Sequence, residues 1–145
     1  MNVYLLSESE ELMTKDIKER KIKRGDIYYA NLPVEEGSVQ SGRRPVLITQ
    51  CDSLNKNSTT VLVAIITSKL KRPDAGTHVV LPMIKGLPRQ SMVEAEQRKT
   101  ISKTQLLEYR CTLDAKTMKR VKRALRISER ESQKYSHRRK RKPRQ

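Results

Sequence analysis

The sequence predicts a mainly β protein of the α+β class, with a small, strongly bent antiparallel sheet or partial barrel and a C-terminal helix. Short runs rich in Val, Ile, Leu and Tyr recur between residues 26 and 101, and polar loops with Gly and Pro separate them. Apolar residues then recur at helical spacing between Met118 and Ile127. The 145 residues suffice for one domain with extensions. Short strands with long loops and a closing helix are typical of such a curled sheet.

The strands are predicted from apolar or β-branched runs that end at turn-forming residues. They span residues 26–32, 45–50, 59–67 and 77–81, followed by 91–95 and 97–101, which form two short strands or one bent strand. The run at 59–67 is rich in β-branched residues, which predicts a central strand buried on both faces. The connections are loops at 33–43, 69–76 and 83–90, a turn at 52–58 and a single helical turn at 102–106.

Two helices are predicted, one near each end of the chain. Ser7 and Glu10 fit a capping box ahead of apolar residues at helical spacing, which predicts a short helix over about residues 8–21. Asp114 is a suitable N-cap for the C-terminal helix, and Val121 lies at the centre of its apolar face. The opposite face of this helix is basic and consists of Lys116, Lys119, Lys122, Arg123, Arg126 and Arg130.

The charge is concentrated at the C-terminal end. Lys and Arg total 32 against 16 Asp and Glu, which gives a net charge of +16. Residues 116–145 hold 14 basic and 2 acidic side chains, so this segment alone contributes +12. We therefore predict an N-terminal extension at 1–23, a folded domain at 24–133 and a disordered basic tail at 134–145. The excess of positive charge points to a polyanion as partner, and nucleic acid is the commonest one.

Several classes of protein are excluded by the sequence. The longest apolar run, Val61–Ile66, is far too short to span a bilayer, and the N-terminus lacks the basic region of a secretory signal. Two cysteines, Cys51 and Cys111, cannot build a disulfide framework, and the two histidines lack the spacing of metal ligands. The expectation is a reduced, cytoplasmic protein that uses no metal or cofactor.

Four segments, in order along the chain, resemble the MazF/PemK/Kid family of bacterial toxins. The first is residues 23–32, where Arg24-Gly-Asp-Ile-Tyr-Tyr-Ala-Asn-Leu32 matches the family opening. The second, Gly37-Ser-Val-Gln-Ser-Gly-Arg-Arg-Pro-Val46, matches the family loop G-S-E-Q-x-G-x-R-P-V. The third is the Ile-Thr that ends the run at 63–68, and the fourth is residues 91–103, with an E-Q pair and a T-I. The resemblance covers residues 23 to 127.

The resemblance implies a sequence-specific, metal-independent endoribonuclease toxin of a toxin–antitoxin system. It also implies a compact, SH3-like antiparallel sheet of the CcdB/MazF type, a homodimer, and a partner antitoxin that blocks the active groove. The expected substrate is single-stranded RNA, in particular mRNA, which makes the protein an mRNA interferase. Cleavage without a metal proceeds by attack of the 2′-hydroxyl on the adjacent phosphorus and leaves a 2′,3′-cyclic phosphate and a 5′-hydroxyl.

Arg44 and Thr67 match the catalytic residues of the family. A guanidinium is always charged and binds two phosphate oxygens at once, which suits the crowded phosphorane formed during cleavage. Pro45 biases Arg44 toward an extended backbone. Thr67 stands at the end of the predicted central strand, where its hydroxyl can donate to a phosphate oxygen or contact the 2′-hydroxyl.

Further residues of the matched loops are candidates for RNA binding. These are Ser38, Gln40 and Arg43 in the first loop and Lys69 in the second. Gln40 either reads a base edge or holds the loop, and Arg43 is either solvated charge or a phosphate contact.

The general base is left open by the sequence. Val39 stands where the family often has a glutamate, and neither Glu36 nor Glu94 is a secure replacement. The Glu96–Gln97 pair is interpreted as a buried polar tie between the late strand and the first one. Asp26, after Gly25, is interpreted as a structural turn residue.

Two alternative functions use the same fold. One is a CcdB-like toxin that poisons gyrase, which does not need the Arg44 and Thr67 pair. The other is a nucleic-acid-binding module that has lost its chemistry, for which Val39 and the basic tail are the arguments.

Overall fold

The computed structural model describes residues 20–33 and 42–130, which form a six-stranded antiparallel sheet and two helices. The strands are β1 (Asp26–Leu32), β2 (Gly42–Ile48), β3 (Thr60–Thr67), β4 (His78–Val80), β5 (Met92–Ser102) and β6 (Leu106–Thr112). The helices are α1 (Asp52–Asn57) and α2 (Ala115–Glu129), and a short 3-10 turn spans Lys103–Gln105. The predicted mainly β fold with a C-terminal helix is confirmed.

Most elements agree with their prediction, and the differences have local causes. The segment predicted as a turn at 52–58 is the short helix α1, because Leu54 and Asn55 donate their amides to the Cys51 carbonyl. The two candidate strands after Gln90 are one bent strand, β5. Strand β6 was not predicted, because its pairing with β1 shifts register twice and erases the alternation of buried and exposed side chains.

The sheet curls because of one short connection. Its strand order is β4-β5-β3-β2-β1-β6, so β5 and β6 are four positions apart although only Lys103–Gln105 joins them. A three-residue link can join these strands only if the sheet rolls until the end of β5 meets the start of β6. Ser102 and Gln105 cap this turn reciprocally, and Gln105 also donates to the Asn31 carbonyl of β1 at 3.0 Å.

Successive residues of the central strands enter two separate cores on opposite faces of the sheet. The helix-side core lies between the sheet and α2 and comprises Ile27, Leu47, Ala64, Ile66, Val79, Leu81, Leu87, Val93, Ala95, Cys111, Leu113, Val121 and Ala124. The inner core fills the inside of the curl and comprises Tyr28, Ala30, Leu32, Val46, Ile48, Val61, Val63, Ile65, Ile101 and Leu106. Burial on both faces of β3 confirms it as a central strand.

Both ends of the described domain are held by buried or capping carboxylates. Asp26 is 1% exposed and accepts hydrogen bonds from the Lys23 amide at 3.0 Å and the Thr112 hydroxyl at 2.8 Å. It is therefore a structural residue, as predicted. Asp114 caps α2 by accepting from the Thr117 amide at 2.8 Å, which is the predicted N-cap.

Helix α2 is amphipathic as predicted. Val121 and Ala124 are buried against the sheet, and the cations on the opposite face are exposed. No helix in the described residues is long and apolar enough to cross a bilayer. The predicted N-terminal helix falls mostly outside the described residues, and the predicted tail at 134–145 lies wholly outside them.

Gly86 fixes the connection between β4 and β5 against β6. Its φ of +112° lies in the region that favours glycine, and its carbonyl accepts from Arg110 Nε at 2.7 Å. A Cβ at this position would lie 2.4 Å from the Arg110 carbonyl oxygen. The backbone therefore approaches too closely for any other residue.

We expect Gly86→Ala to lower the free energy of unfolding by more than the ~1–3 kcal/mol of backbone strain, because the clash with Arg110 adds to it. Gly42→Ala is the matched control, since Gly42 has a φ of +81° but nothing within 4 Å of the added Cβ. Urea denaturation of both variants measures the difference. Equal losses of stability would contradict the role of the contact with Arg110.

Candidate active site

Arg44 and Thr67 lie on neighbouring strands at the end where the β2–β3 ladder stops. The pairing of β2 with β3 runs from Ile48 to Val46, and Val46 faces Ile65. The next residue, Pro45, has no amide hydrogen to donate, so the pairing stops before it. Continuing this register by two residues places Arg44 across from Thr67. The two residues that the family resemblance selects are therefore cross-strand neighbours beyond the last paired residues.

The side chains of Arg44 and Thr67 share the inner face of the sheet. Val46 and Ile65 both belong to the inner core, and residues two positions along a strand point to the same side. Arg44 is partly exposed, whereas Thr67 is 5% exposed. The guanidinium can therefore reach a bound molecule, while the threonine hydroxyl lies deeper in the same corner.

The Thr67 hydroxyl has a structural partner. Its Oγ1 accepts a hydrogen bond from the Lys69 amide at 3.0 Å, which closes a turn immediately after β3. This bond fixes the direction of the hydroxyl and holds the exposed Lys69 beside it. Thr67 can still donate its own hydrogen to an oxygen of a bound phosphate.

Glu94 and His78 extend the same face across β5 and β4. Ile65 pairs with Glu94, and Glu94 pairs in turn with His78. Their neighbours Val93 and Val79 belong to the helix-side core, so Glu94 and His78 point to the inner face. The arginine, threonine, glutamate and histidine therefore line one side of four adjacent strands.

His78 is held between two acceptors. Its Nδ1 lies 2.9 Å from the Arg72 carbonyl oxygen, and its Nε2 lies 2.9 Å from Glu96 Oε2. Both ring nitrogens must carry hydrogen to satisfy these partners, which requires an imidazolium. Burial lowers the pKa of His78, but the hydrogen bonds to Glu96 and Arg72 and the charges of Glu96 and Glu94 outweigh it, so the pKa is raised above 6.5.

Glu96 is the stabilised member of the acidic pair. Burial raises the pKa of Glu96, but the hydrogen bond from His78 and further hydrogen bonds and charge outweigh it, so the pKa falls below 4.5. Glu96 therefore stays ionised and committed to His78.

Glu94 is the unusual carboxyl of this face. Burial and then the charge of Glu96 raise its pKa, and together they outweigh the opposing charges of His78, Arg44 and Lys71. These charges also show that the Arg44 guanidinium lies close enough to Glu94 to act on it. A partly buried carboxyl with a raised pKa beside a partly exposed arginine is typical of a proton-handling site.

A cation site is the alternative interpretation of the cluster formed by His78, Glu94 and Glu96. One side-chain N or O atom of each lies within 4.8 Å of the others. His78, however, already donates from both nitrogens, and its positive charge stands between the two carboxyl groups. We therefore interpret the cluster as an ion pair with a neighbouring carboxyl group.

The four candidate RNA-binding residues do not all lie on the face that carries Arg44 and Thr67. Lys69 lies beside Thr67, to which its amide is bonded. Arg43 points to the opposite face, where it forms an ion pair with Glu108 and its guanidinium lies 4.7 Å from the centre of the Tyr29 ring. Ser38 and Gln40 lie outside the described residues, as do Glu36 and Val39.

The interpretation of Glu96 and Gln97 as a tie to the first strand is wrong. Strand β5 pairs with β3 and β4, and β1 lies between β2 and β6. Glu96 instead bonds His78, which carried no predicted role. His78 faces Glu94 across the β4–β5 pairing, so Glu96, two residues further along β5, is its diagonal neighbour on the same face. Strand β5 also bulges here, because its register with β3 shifts by three residues between Ala64 and Ile65. The alternation of the apolar Val93 and Ala95 with Glu94 and Glu96 was the one signal in the sequence that both glutamates share a face of β5.

Comparison with known proteins gives one consistent result. Residues 23–128 match the family model for the PemK-like, MazF-like toxin of type II toxin–antitoxin systems. Endoribonuclease EndoA of Bacillus subtilis is 41% identical over 108 residues, which cover 74% of this chain and 93% of that protein. Endoribonuclease MazF of Staphylococcus saprophyticus is 42% identical over 108 residues, which cover 74% and 90%.

The fold comparison agrees. A mycobacterial endoribonuclease solved in complex with its cognate antitoxin superposes with a TM-score of 0.63 at 23% identity, and the match covers 74% of this chain and 93% of that one.

The ion pair with Glu96 predicts a raised pKa for His78. We expect its imidazole to titrate above 6.5 in the folded protein, because the ring is held in its charged form. The stability it contributes is complete below 6.5 and is lost as the pH rises through the raised pKa. NMR titration of the imidazole protons measures the value, with His78→Gln assigning the signal against His137.

Glu96→Gln should lower the pKa of His78, because the ring then loses the negative charge of Glu96 while its burial still disfavours the charged form. A wild-type His78 that titrates at or below 6.5 would contradict the ion pair.

Proposed function

The chain belongs to the PemK-like, MazF-like toxin family of type II toxin–antitoxin systems, and from this membership we propose that it is an endoribonuclease toxin that cleaves single-stranded RNA without a metal ion. The observation that carries the proposal is the placement of Arg44 across from Thr67, where the β2–β3 ladder stops. The two curated relatives are both named endoribonucleases and match over nearly their whole length.

In the proposed reaction the substrate RNA supplies its own nucleophile. The 2′-oxygen attacks the adjacent phosphorus, the bond to the 5′-oxygen breaks, and the products are a 2′,3′-cyclic phosphate and a 5′-hydroxyl. The Arg44 guanidinium binds two oxygens of the phosphorane in a fork and stabilises the charge that develops there. Thr67, whose hydroxyl is fixed by the Lys69 amide, donates to a third oxygen and orients the phosphate.

The proposed partners follow from the family and from the charge of the chain. A cognate antitoxin covers the groove, and the mycobacterial endoribonuclease of similar fold forms a complex with an antitoxin of its own. Ser38, Gln40 and Lys69 contact RNA near the cleaved phosphate, and Arg43 contributes from the other face if it leaves Glu108. We also propose that the protein is a homodimer and acts in the cytoplasm, where the free thiols of Cys51 and Cys111 stay reduced.

Arg44→Ala should lower kcat for RNA cleavage by roughly 10²–10³-fold, the usual effect of removing one preorganised donor from a developing anion. Arg44→Lys should recover part of this loss, because a lysine keeps the charge but not the fork. Thr67→Ser should keep most activity and Thr67→Val should lose it, because only serine keeps the hydroxyl. Arg98→Lys is the control, since Arg98 pairs with Glu129 of α2 on the far side of the sheet.

The assay uses a long single-stranded RNA with EDTA present and maps the cleavage sites. A folded Arg44→Ala protein with wild-type turnover would remove Arg44 from the mechanism. RNA that is bound but not cut by the wild-type protein would favour the binding module, and DNA breaks that appear only with gyrase present would favour the gyrase poison.

Deleting residues 134–145 should weaken RNA binding without moving the cleavage site. The segment carries seven of the 32 basic residues, and phosphate contacts hold a protein on RNA without reading sequence. Each contact with single-stranded RNA contributes about −0.7 to the slope of log affinity against log salt, so the loss of three or four contacts should flatten it by roughly 2–3 units. An unchanged slope would mean that the tail makes no phosphate contact.

A further inference from the structure

The proposed reaction requires a proton acceptor that neither Arg44 nor Thr67 supplies. Attack by the 2′-oxygen requires that its hydrogen be removed, and the Arg44 side chain offers hydrogen-bond donors but no acceptor. Thr67 is a poor base, because a neutral hydroxyl binds an extra proton only in strong acid. Val39 in the preceding loop has no ionisable group to serve instead.

Glu94 stands where such an acceptor is needed. It lies on the inner face with Arg44 and Thr67, and it is two residues along β5 from Met92, the pairing partner of Thr67. Diagonal neighbours of this kind are ~7–8 Å apart between their backbones, a distance that an extended glutamate side chain and one hydrogen bond cover together. When Arg44 and Thr67 hold the scissile phosphate, the 2′-hydroxyl of the adjacent ribose therefore comes within reach of this carboxylate.

We propose that Glu94 is the general base that removes the proton from the 2′-hydroxyl during RNA cleavage. This inference rests on the proposed function. The O–H bond of the 2′-hydroxyl breaks and its proton passes to a Glu94 oxygen, while the 2′-oxygen forms its bond to phosphorus. The bond from phosphorus to the 5′-oxygen then breaks with its electron pair on that oxygen, which takes a proton from solvent water. Release of the proton from Glu94 to water restores the enzyme.

The neighbouring ionisable groups are unsuited to this task. The Nε2 of His78 donates to Glu96 and its Nδ1 donates to Arg72, so the imidazolium has no free lone pair to accept a proton. Glu96 is occupied by His78, and its low pKa makes it a weak base. Among the described residues of this face, Glu94 is therefore the carboxylate best placed to accept a proton.

The surroundings of Glu94 also set its strength as a base. Four groups face it: Glu96 from β5, His78 from β4, Arg44 from β2 and Lys71 from the loop after β3. Burial and Glu96 raise the pKa of Glu94 above 4.5, against the three cations. A carboxylate whose pKa is closer to neutrality accepts a proton more readily, while it remains ionised at the pH of the cell.

The test compares Glu94→Gln with the wild type over the full pH range on a short RNA that contains one cleavage site. We expect kcat to fall by about 10²–10⁴-fold, the usual contribution of a general base. The affinity for a 2′-deoxy version of the RNA should stay within about twofold, because binding does not use the base. Glu94→Asp should restore part of kcat. Glu129→Gln is the control, since this exposed glutamate lies on α2.

The pH profile separates catalysis from a structural role. In the wild type kcat/KM should rise with pH through the pKa of Glu94, and Glu94→Gln should abolish that limb. His78→Gln should move the limb to higher pH, because the loss of a facing positive charge raises the pKa of Glu94 further. Circular dichroism confirms that each variant is folded.

The outcomes distinguish this inference from the proposed function. If Arg44→Ala is inactive while Glu94→Gln keeps wild-type kcat and the same pH profile, the base assignment is overturned and the endoribonuclease stands. If the wild-type protein cuts no RNA, both fall. A loss of kcat in Glu94→Gln together with the loss of the acid limb supports Glu94 as the base.

Discussion

The three-residue link between β5 and β6 is the constraint on which the rest of the structure depends. It joins the second strand of the sheet to the sixth, so an open, flat arrangement of these strands is impossible. The curl that results creates an inside, which the inner core fills, and an outside, which α2 covers. The candidate site lies in the part of the inside that apolar side chains leave unfilled, beyond Val46 and Ile65.

Pro45 marks the boundary between the inner core and the candidate site. A residue with an amide at this position would extend the ladder between β2 and β3 toward Arg44 and Thr67. Without that amide the pairing stops at Val46, and the next inward-facing side chains on both strands are polar. The pairing of β2 with β3 therefore stops directly before these two polar side chains, at a position that a single proline marks in the sequence.

The sequence predicted the elements whose signals are local. β-Branched runs revealed β3, helical spacing and a capping aspartate revealed α2, and the matched motifs selected Arg44 and Thr67 as a pair. What depends on register could not be predicted. Strand β6 lacks alternation because its pairing shifts twice, and His78 meets Glu96 through the register of β4 with β5, in which His78 faces Glu94. Bulges and register shifts are properties of two strands at once, so neither strand's sequence encodes them alone.

The two faces of the sheet differ in their polar side chains, since the candidate site lies on the inner face and the exposed cations of α2 lie beyond the other face. The cations lie on the outer side of a helix that is about 10–12 Å wide, which exceeds the ~8 Å screening length of physiological salt. Substitutions on the outer side of α2 can therefore change the attraction to polyanions with little effect on the charges around the candidate site. The attraction of this small domain to polyanions and the electrostatics of its inner face can in this way vary separately.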